Sequence, residues 1–130
     1  MSPSRAALKH YAAVQVQSSV LDASPHRLTA LLFDGAIERI ARAKGHLQRG
    51  ELAPKGELIG AVIAIVGELV GSLDRKAAPQ LVDRLAALYD YILRRLGEAN
   101  AGNRIEPLDE ASRLLGSLAE AWQAIDPDQP

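Results

Sequence analysis

Residues 81–96, which read LVDRLAALYDYILRRL, decide the fold class of this chain. Apolar side chains recur every three or four positions along this stretch and slightly beyond it: Leu81, Leu85, Leu88, Ile92, Leu96 and Ala99. A period near 3.6 residues is typical of an amphipathic helix, whereas a half-buried strand alternates every second residue. Tyr89 and Tyr91 are two positions apart, so we expect one in the core and the other at the surface or on a partner.

Helix start and stop signals divide the rest of the chain. Ser24 followed by Pro25 is typical of an N-cap and first turn, and Ala78-Pro79 indicates another start. The stretch from Gly50 to Gly56 indicates a loop. A C-cap and loop are expected within residues 100–107. These signals predict helices over residues 6–19, 25–49, 55–76, 79–100 and 107–125.

The predicted fold is all-α. Short loops between long helices favour an antiparallel four-helix bundle, with a short extra helix at the N-terminus. We expect one domain over residues 1–130, with residues 24–125 as the bundle and residues 1–20 as a mobile arm, because a short helix with a thin apolar stripe is marginal alone. The predicted core includes Leu28, Leu85, Leu88, Ile92, Leu96, Leu115 and Leu118.

The predicted helix over residues 55–76 has an unusual distribution of apolar and small residues. Its apolar arc is wide, and beside that arc lies a stripe of Gly60, Ala64, Gly67 and Gly71. Glycine inside a helix costs up to about 1 kcal/mol relative to alanine, so close approach of another backbone is the expected compensation. Two interpretations remain open: this helix is central and buried on most sides, or it offers surplus apolar surface to a partner.

Composition excludes several classes of function. The chain has 48% apolar residues, a net charge of −1 and no cysteine. We therefore expect no thiolate metal site and no nucleic-acid binding, because no basic stripe is present. The three histidines are far apart and no catalytic motif occurs, so we predict neither an enzyme nor a metal or other cofactor. We expect no membrane insertion and a cytoplasmic location, since no signal-peptide core or membrane span is evident.

Several ordered sequence blocks carry a family resemblance over roughly residues 8–125. These blocks are Tyr11-Ala-Ala-Val-Gln15-Val16, Asp22-Ala-Ser-Pro25, Leu32-Phe-Asp-Gly-Ala36, Leu73-Asp74, Leu88-Tyr-Asp-Tyr-Ile92, Arg95-Leu96, Ala99-Asn100 and Trp122. Together they resemble the flagellar secretion chaperone FliS family. We expect Trp122 to anchor the last helix in the core rather than to contact a partner.

The resemblance implies a cytoplasmic helical bundle that binds the disordered C-terminal segment of flagellin. Such a chaperone blocks premature polymerisation, supports delivery to the flagellar type III export machinery and uses no cofactor. We expect a monomer or weak homodimer. The predicted partner-binding residues are Tyr11, Gln15, Phe33, Ile63, Gly67, Val70 and Tyr89. The alternatives are a generic helical adaptor with a different client and an enzyme with a site in the bundle core.

Overall fold

The computed structural model describes residues 23–125, and all regular structure in that range is helical. The four helices are α1 (Pro25–Gln48), α2 (Leu52–Gly71), α3 (Pro79–Gly102) and α4 (Glu106–Ala124). No strand occurs in residues 23–125, so the all-α prediction is confirmed there. The predicted helix over residues 6–19 and the mobile arm of residues 1–20 lie outside the described residues.

The starts of α1 and α3 follow the predicted signals. The Ser24 hydroxyl accepts a hydrogen bond from the Arg27 amide at 3.1 Å and so caps α1. Pro79 opens α3 after the extended residue Ala78. Proline suits a first turn because its missing N–H would have had no partner within the helix.

The ends of α2 and α3 differ from the prediction. The predicted loop at residues 50–56 is shorter, because Gly50 makes the turn with φ 73° and Pro54 fits into the first turn of α2. α2 ends at Gly71 instead of residue 76, where the Ser72 hydroxyl donates to the Leu69 carbonyl at 2.8 Å. α3 continues through Gly102, since Asn103 adopts the left-handed cap conformation that asparagine tolerates.

Each helix packs against two others. α1 and α3 each contact both α2 and α4; of these four main pairs, α1–α2 is the most extensive and α2–α3 the least. Apolar side chains from all four helices form one continuous core. Its fully enclosed members include Ala36, Ile59, Val62, Ile92, Leu96, Leu108 and Leu115.

The predicted core is correct in part. Ile92, Leu96 and Leu115 are fully buried. The four remaining leucines are only half-buried: Leu28, Leu85, Leu88 and Leu118. Periodicity identifies the inward face of a helix, but the depth of each residue depends on how neighbouring helices overlap along their lengths.

Candidate partner-binding surface

The seven predicted partner-binding residues fall into three groups. Phe33 and Tyr89 are buried, with 3% and 5% of their surface exposed. Ile63 and Val70 are half-buried against the core, and Gly67 is exposed. Tyr11 and Gln15 lie outside the described residues. Of the five members that the structure describes, the exposed and half-buried ones therefore all come from α2.

A hydrogen-bonded contact fixes which side of α2 faces α3. The Lys55 ammonium donates to the Asn100 carbonyl at 3.0 Å and to the Asn100 side-chain oxygen at 2.9 Å. A Cβ placed on Gly56 would lie 3.8 Å from that side-chain oxygen. Because seven residues make nearly two helical turns, Ile63 and Val70 lie on the same side of α2 as Gly56.

The same counting identifies the facing side of α3. Leu93 precedes Asn100 by seven residues and Tyr89 precedes it by eleven, which is about three turns. Both side chains therefore lie on the α2-facing side of α3. We call the line formed by Ile63, Val70, Tyr89 and Leu93 the α2–α3 seam.

Next to this seam on the surface of α2 lies a stripe of small residues. We call it the outer face of α2 and define it as Gly60, Ala64, Gly67 and Gly71. All four residues are exposed. Among the residues that the structure describes, a Cβ built on any of the three glycines would meet no atom within 4 Å. Within residues 23–125 the stripe of small residues therefore does not pack inside the bundle, so α2 is not buried on the side that carries the stripe.

Few charges border this face. α2 carries Lys55, Glu57 and Glu68, and Lys55 is only 5% exposed. Neither glutamate forms an ion pair within residues 23–125. The surface along α2 therefore consists of small and apolar groups with two negative charges beside them.

Comparisons of this sequence with known protein families and with individual proteins all identify flagellar FliS proteins as relatives. The family described as "Flagellar protein FliS" matches residues 7–129. The chain belongs to this FliS family.

The flagellar secretion chaperone FliSB of Pseudomonas aeruginosa is 42% identical over 119 residues, which cover 92% of this chain and 94% of the relative. The flagellar secretion chaperone FliS of Salmonella typhimurium is 40% identical over 121 residues, covering 92% and 90%. The Vibrio cholerae protein of the same name is 32% identical, covering 95% and 91%. The resemblance inferred from the sequence blocks is thereby confirmed.

Several residues of those blocks have structural roles in this FliS-family chain. The Trp122 indole stacks on His26 with ring centroids 4.6 Å apart. Trp122 Nε1 donates to the His26 carbonyl at 2.9 Å, and His26 Nε2 donates to the Trp122 carbonyl at 2.8 Å. Trp122 is half-buried against the core, so it joins the end of α4 to the start of α1.

A second polar group, the α3–α4 ionic cluster, consists of Tyr91, Arg95, Glu98, Glu106 and Glu110. Arg95 contacts three carboxylates, with distances of 2.7 Å to Glu110, 2.6 Å to Glu98 and 3.3 Å to Glu106. The Tyr91 hydroxyl donates to Glu110 at 2.5 Å. This hydrogen bond, together with Arg95, lowers the pKa of Glu110, and the Glu110 carboxylate raises the pKa of Tyr91. Tyr91 is thus the surface member of the tyrosine pair and Tyr89 the core member.

Sequence reasoning missed two buried charges, Lys55 and Arg39. Arg39 is 1% exposed and donates to the Gly35 carbonyl at 3.0 Å. Charged residues are ordinarily assigned to the surface. Lys55 can be buried because Asn100 accepts hydrogen bonds from its ammonium group. Asn100 is 45 positions away in the sequence, and helical periodicity does not show that two such distant residues meet.

Metal-ligand clusters and membrane spans are both absent from the range that the structure describes. Within residues 23–125, no group of three or more His, Cys, Asp or Glu side chains is placed to hold a metal ion. None of the four helices is long and apolar enough to cross a membrane.

Proposed function

We propose that this chain is a cytoplasmic export chaperone for flagellin. It binds the C-terminal segment of flagellin, prevents premature polymerisation and supports delivery to the flagellar type III export apparatus. Membership of the FliS family and the names of its relatives, which are flagellar secretion chaperones, support this proposal.

The scaffold of this chaperone is an antiparallel four-helix bundle. Three contacts support this arrangement, because each joins the beginning of one helix to the end of another. Lys55 in α2 reaches Asn100 in α3, and Lys44 near the end of α1 pairs with Asp109 in α4 at 2.9 Å. Trp122 and His26 make the equivalent contact at the other ends of α4 and α1.

The client binds along the outer face of α2 and the α2–α3 seam. The observation that carries this assignment is the exposure of Gly60, Ala64, Gly67 and Gly71, where no side chain of residues 23–125 lies against the glycines to hold an incoming helix away. An amphipathic helix laid on such a face brings its apolar side chains against Ile63 and Val70. A segment that is disordered when free must gain enough apolar contact to offset the entropy lost on ordering.

The other predicted contact residues take different parts in this proposal. Phe33 and Tyr89 are largely enclosed, so only their exposed edges are open to the client. Tyr11 and Gln15 remain predicted client contacts. The complex contains one chaperone and one client, and the free chaperone is a monomer or weak homodimer.

Titration with the C-terminal peptide of the flagellin from the same bacterium tests the proposal. We expect binding with one-to-one stoichiometry, a gain of helical circular dichroism by the peptide and a negative heat-capacity change. A peptide of the same composition in scrambled order is the control, because it keeps the charge and hydrophobicity but loses the amphipathic pattern. Absence of both heat and helicity gain at tens of micromolar peptide would contradict flagellin as the client, and would favour a helical adaptor with a different partner.

A further inference from the structure

The first turns of α3 and the end of α4 leave large apolar side chains uncovered. Leu81 is 57% exposed, and Ile125, directly after α4, is 64% exposed. Leu85, Leu88 and Leu118, which the sequence assigns to the core, are only half-buried. Exposed apolar side chains that lie together on a surface indicate contact with another protein.

The α3–α4 ionic cluster shows which side of α3 faces α4. Arg95 contacts Glu110 across the two helices at 2.7 Å. Leu88 precedes Arg95 by seven residues and Leu81 precedes it by fourteen, so both lie on the same side of α3 as Arg95. Leu81 therefore points toward the α4 side of α3, and yet more than half of it is exposed.

The facing side of α4 is uncovered at the same end. Ser117 follows Glu110 by seven residues and Ala121 follows it by eleven, so both lie on the α3-facing side, and both are exposed. No hydrogen bond or ion pair joins residues 79–90 to residues 113–125. The end of α4 is joined to α1 instead, through Trp122 and His26. We call the uncovered surface the α3–α4 end face and define it as Leu81, Leu88, Leu114, Leu118, Ala121 and Ile125.

Two opposite charges without partners border this face. Arg84 precedes Tyr91 by seven residues, and Glu120 follows Arg113 by seven, so each continues one border of the ionic cluster. Both are exposed, and neither forms an ion pair or hydrogen bond. Arg84 lies eleven residues before Arg95, about 16 Å, and Glu120 ten residues after Glu110, about 15 Å. The two charges are therefore at the same level, on opposite borders of the face.

We propose that the α3–α4 end face is the interface between two copies of this chain related by a two-fold axis. With the axis parallel to the helices, α3 of one copy lies opposite α4 of the other, and every residue keeps its level. Arg84 of each copy then faces Glu120 of the partner subunit, so the two unpaired charges complement each other across the dimer. This inference specifies the interface of the homodimer and does not depend on the identity of the client.

The apolar residues match across the same axis. Leu81 lies ten residues before Tyr91 and Ala121 eleven residues after Glu110, and Tyr91 is bonded to Glu110, so Leu81 and Ala121 share a level. A protruding leucine of each copy thus meets a small exposed residue of the other. Burial of the apolar face provides most of the affinity, since an exposed ion pair contributes at most about 1 kcal/mol, and the charges fix the alignment.

Sedimentation equilibrium of the full chain, from micromolar to millimolar concentration, measures the dimer. Leu81→Asn should weaken dimerisation at least tenfold, because each dimer loses two apolar contacts. The melting temperature of the monomer should not change, because Leu81 is largely exposed. Leu52→Asn is the matched control: Leu52 is 49% exposed at the start of α2, outside the face, and its substitution should leave dimerisation unchanged.

Exchanging the charges tests the alignment. Arg84→Glu and Glu120→Arg should each weaken dimerisation, because like charges then face each other across the axis. The double variant should recover the wild-type dimer, since the same pair is formed in reverse. A purely structural role would not give this recovery, because the two side chains do not pair within one chain.

A wild-type protein that stays monomeric at all concentrations would overturn the inference, as would dimerisation that Leu81→Asn leaves unchanged or that the double charge variant does not recover. Titration with the flagellin C-terminal peptide separates this result from the proposed function. If Leu81→Asn loses peptide affinity and keeps the dimer, the client covers the face and the inference is wrong. If the wild-type protein dimerises as expected but does not bind the peptide, the proposed function fails and the dimer interface stands.

Discussion

The outer face of α2 and the α3–α4 ionic cluster are two surfaces of the same bundle with opposite character. The first consists of four small exposed residues, bordered by glutamates that form no ion pair within residues 23–125. In the second, Arg95 alone contacts three carboxylates, and Tyr91 donates to one of them. The outer face of α2 is therefore exposed and has few polar interactions, whereas the polar groups of the α3–α4 ionic cluster are paired with one another.

This difference indicates which surface a partner can cover with the smaller free-energy cost of desolvation. Burying small and apolar groups releases water without breaking strong interactions. Covering the α3–α4 ionic cluster would remove charged groups from water, and their existing pairs would offset that penalty only in part. An apolar client segment is therefore expected on α2 and not on the cluster.

The largest expected effect comes from breaking the contact that holds α2 to α3. Lys55→Met keeps the apolar stem but leaves both Asn100 oxygens without their donor, which should cost about 1–3 kcal/mol of unfolding free energy. Lys44→Met is the matched control, because the Lys44–Asp109 pair lies at the surface and should contribute at most about 1 kcal/mol. Urea unfolding measures both variants. Equal losses would mean that the Lys55 contact is no stronger than a surface ion pair.

Filling the open space on α2 should affect binding and spare the fold. Gly67→Leu adds a Cβ that meets no atom of the described residues within 4 Å, and leucine is the better helix former by about 0.6–1 kcal/mol. We expect unchanged or higher stability and at least tenfold weaker peptide binding, equivalent to about 1.4 kcal/mol. Gly116→Leu on α4, which also has open space, should gain stability without losing affinity. If both leucine variants bind the peptide like the wild type, the outer face of α2 is not the client surface.

The smallest expected effect concerns pH and the α3–α4 ionic cluster. The folded protein holds the pKa of Glu110 below its ordinary value of 4.5, so its contribution to stability is present above that value and is lost as the pH falls through the folded pKa. Glu110→Gln should therefore lower the melting temperature at neutral pH, and the difference from wild type should shrink in acid. Peptide affinity at neutral pH should not change. A melting-temperature difference that is constant with pH would show that ionisation of Glu110 does not stabilise the fold.

Local signals in the sequence predict much of the fold but little of the long-range polar structure. Ser24 and Pro79 identify helix starts because caps and first-turn prolines act within a few residues. Spacing places Tyr89 and Tyr91 on different sides of α3, yet only the packed structure shows which one is buried. The Lys55–Asn100 contact depends on how α2 and α3 align, and no periodic pattern encodes that alignment. For the candidate site, periodicity identifies the small-residue stripe, whereas its exposure is decided by the other three helices.

The reciprocal contact between His26 and Trp122 also equips the protein with an optical reporter. Trp122 is the only tryptophan in the chain, and its indole stacks on an imidazole at the point where the first and last described helices meet. Its emission therefore arises from a single environment and changes when these helix ends separate. Fluorescence at one wavelength can follow the opening of this end of the bundle without any attached dye.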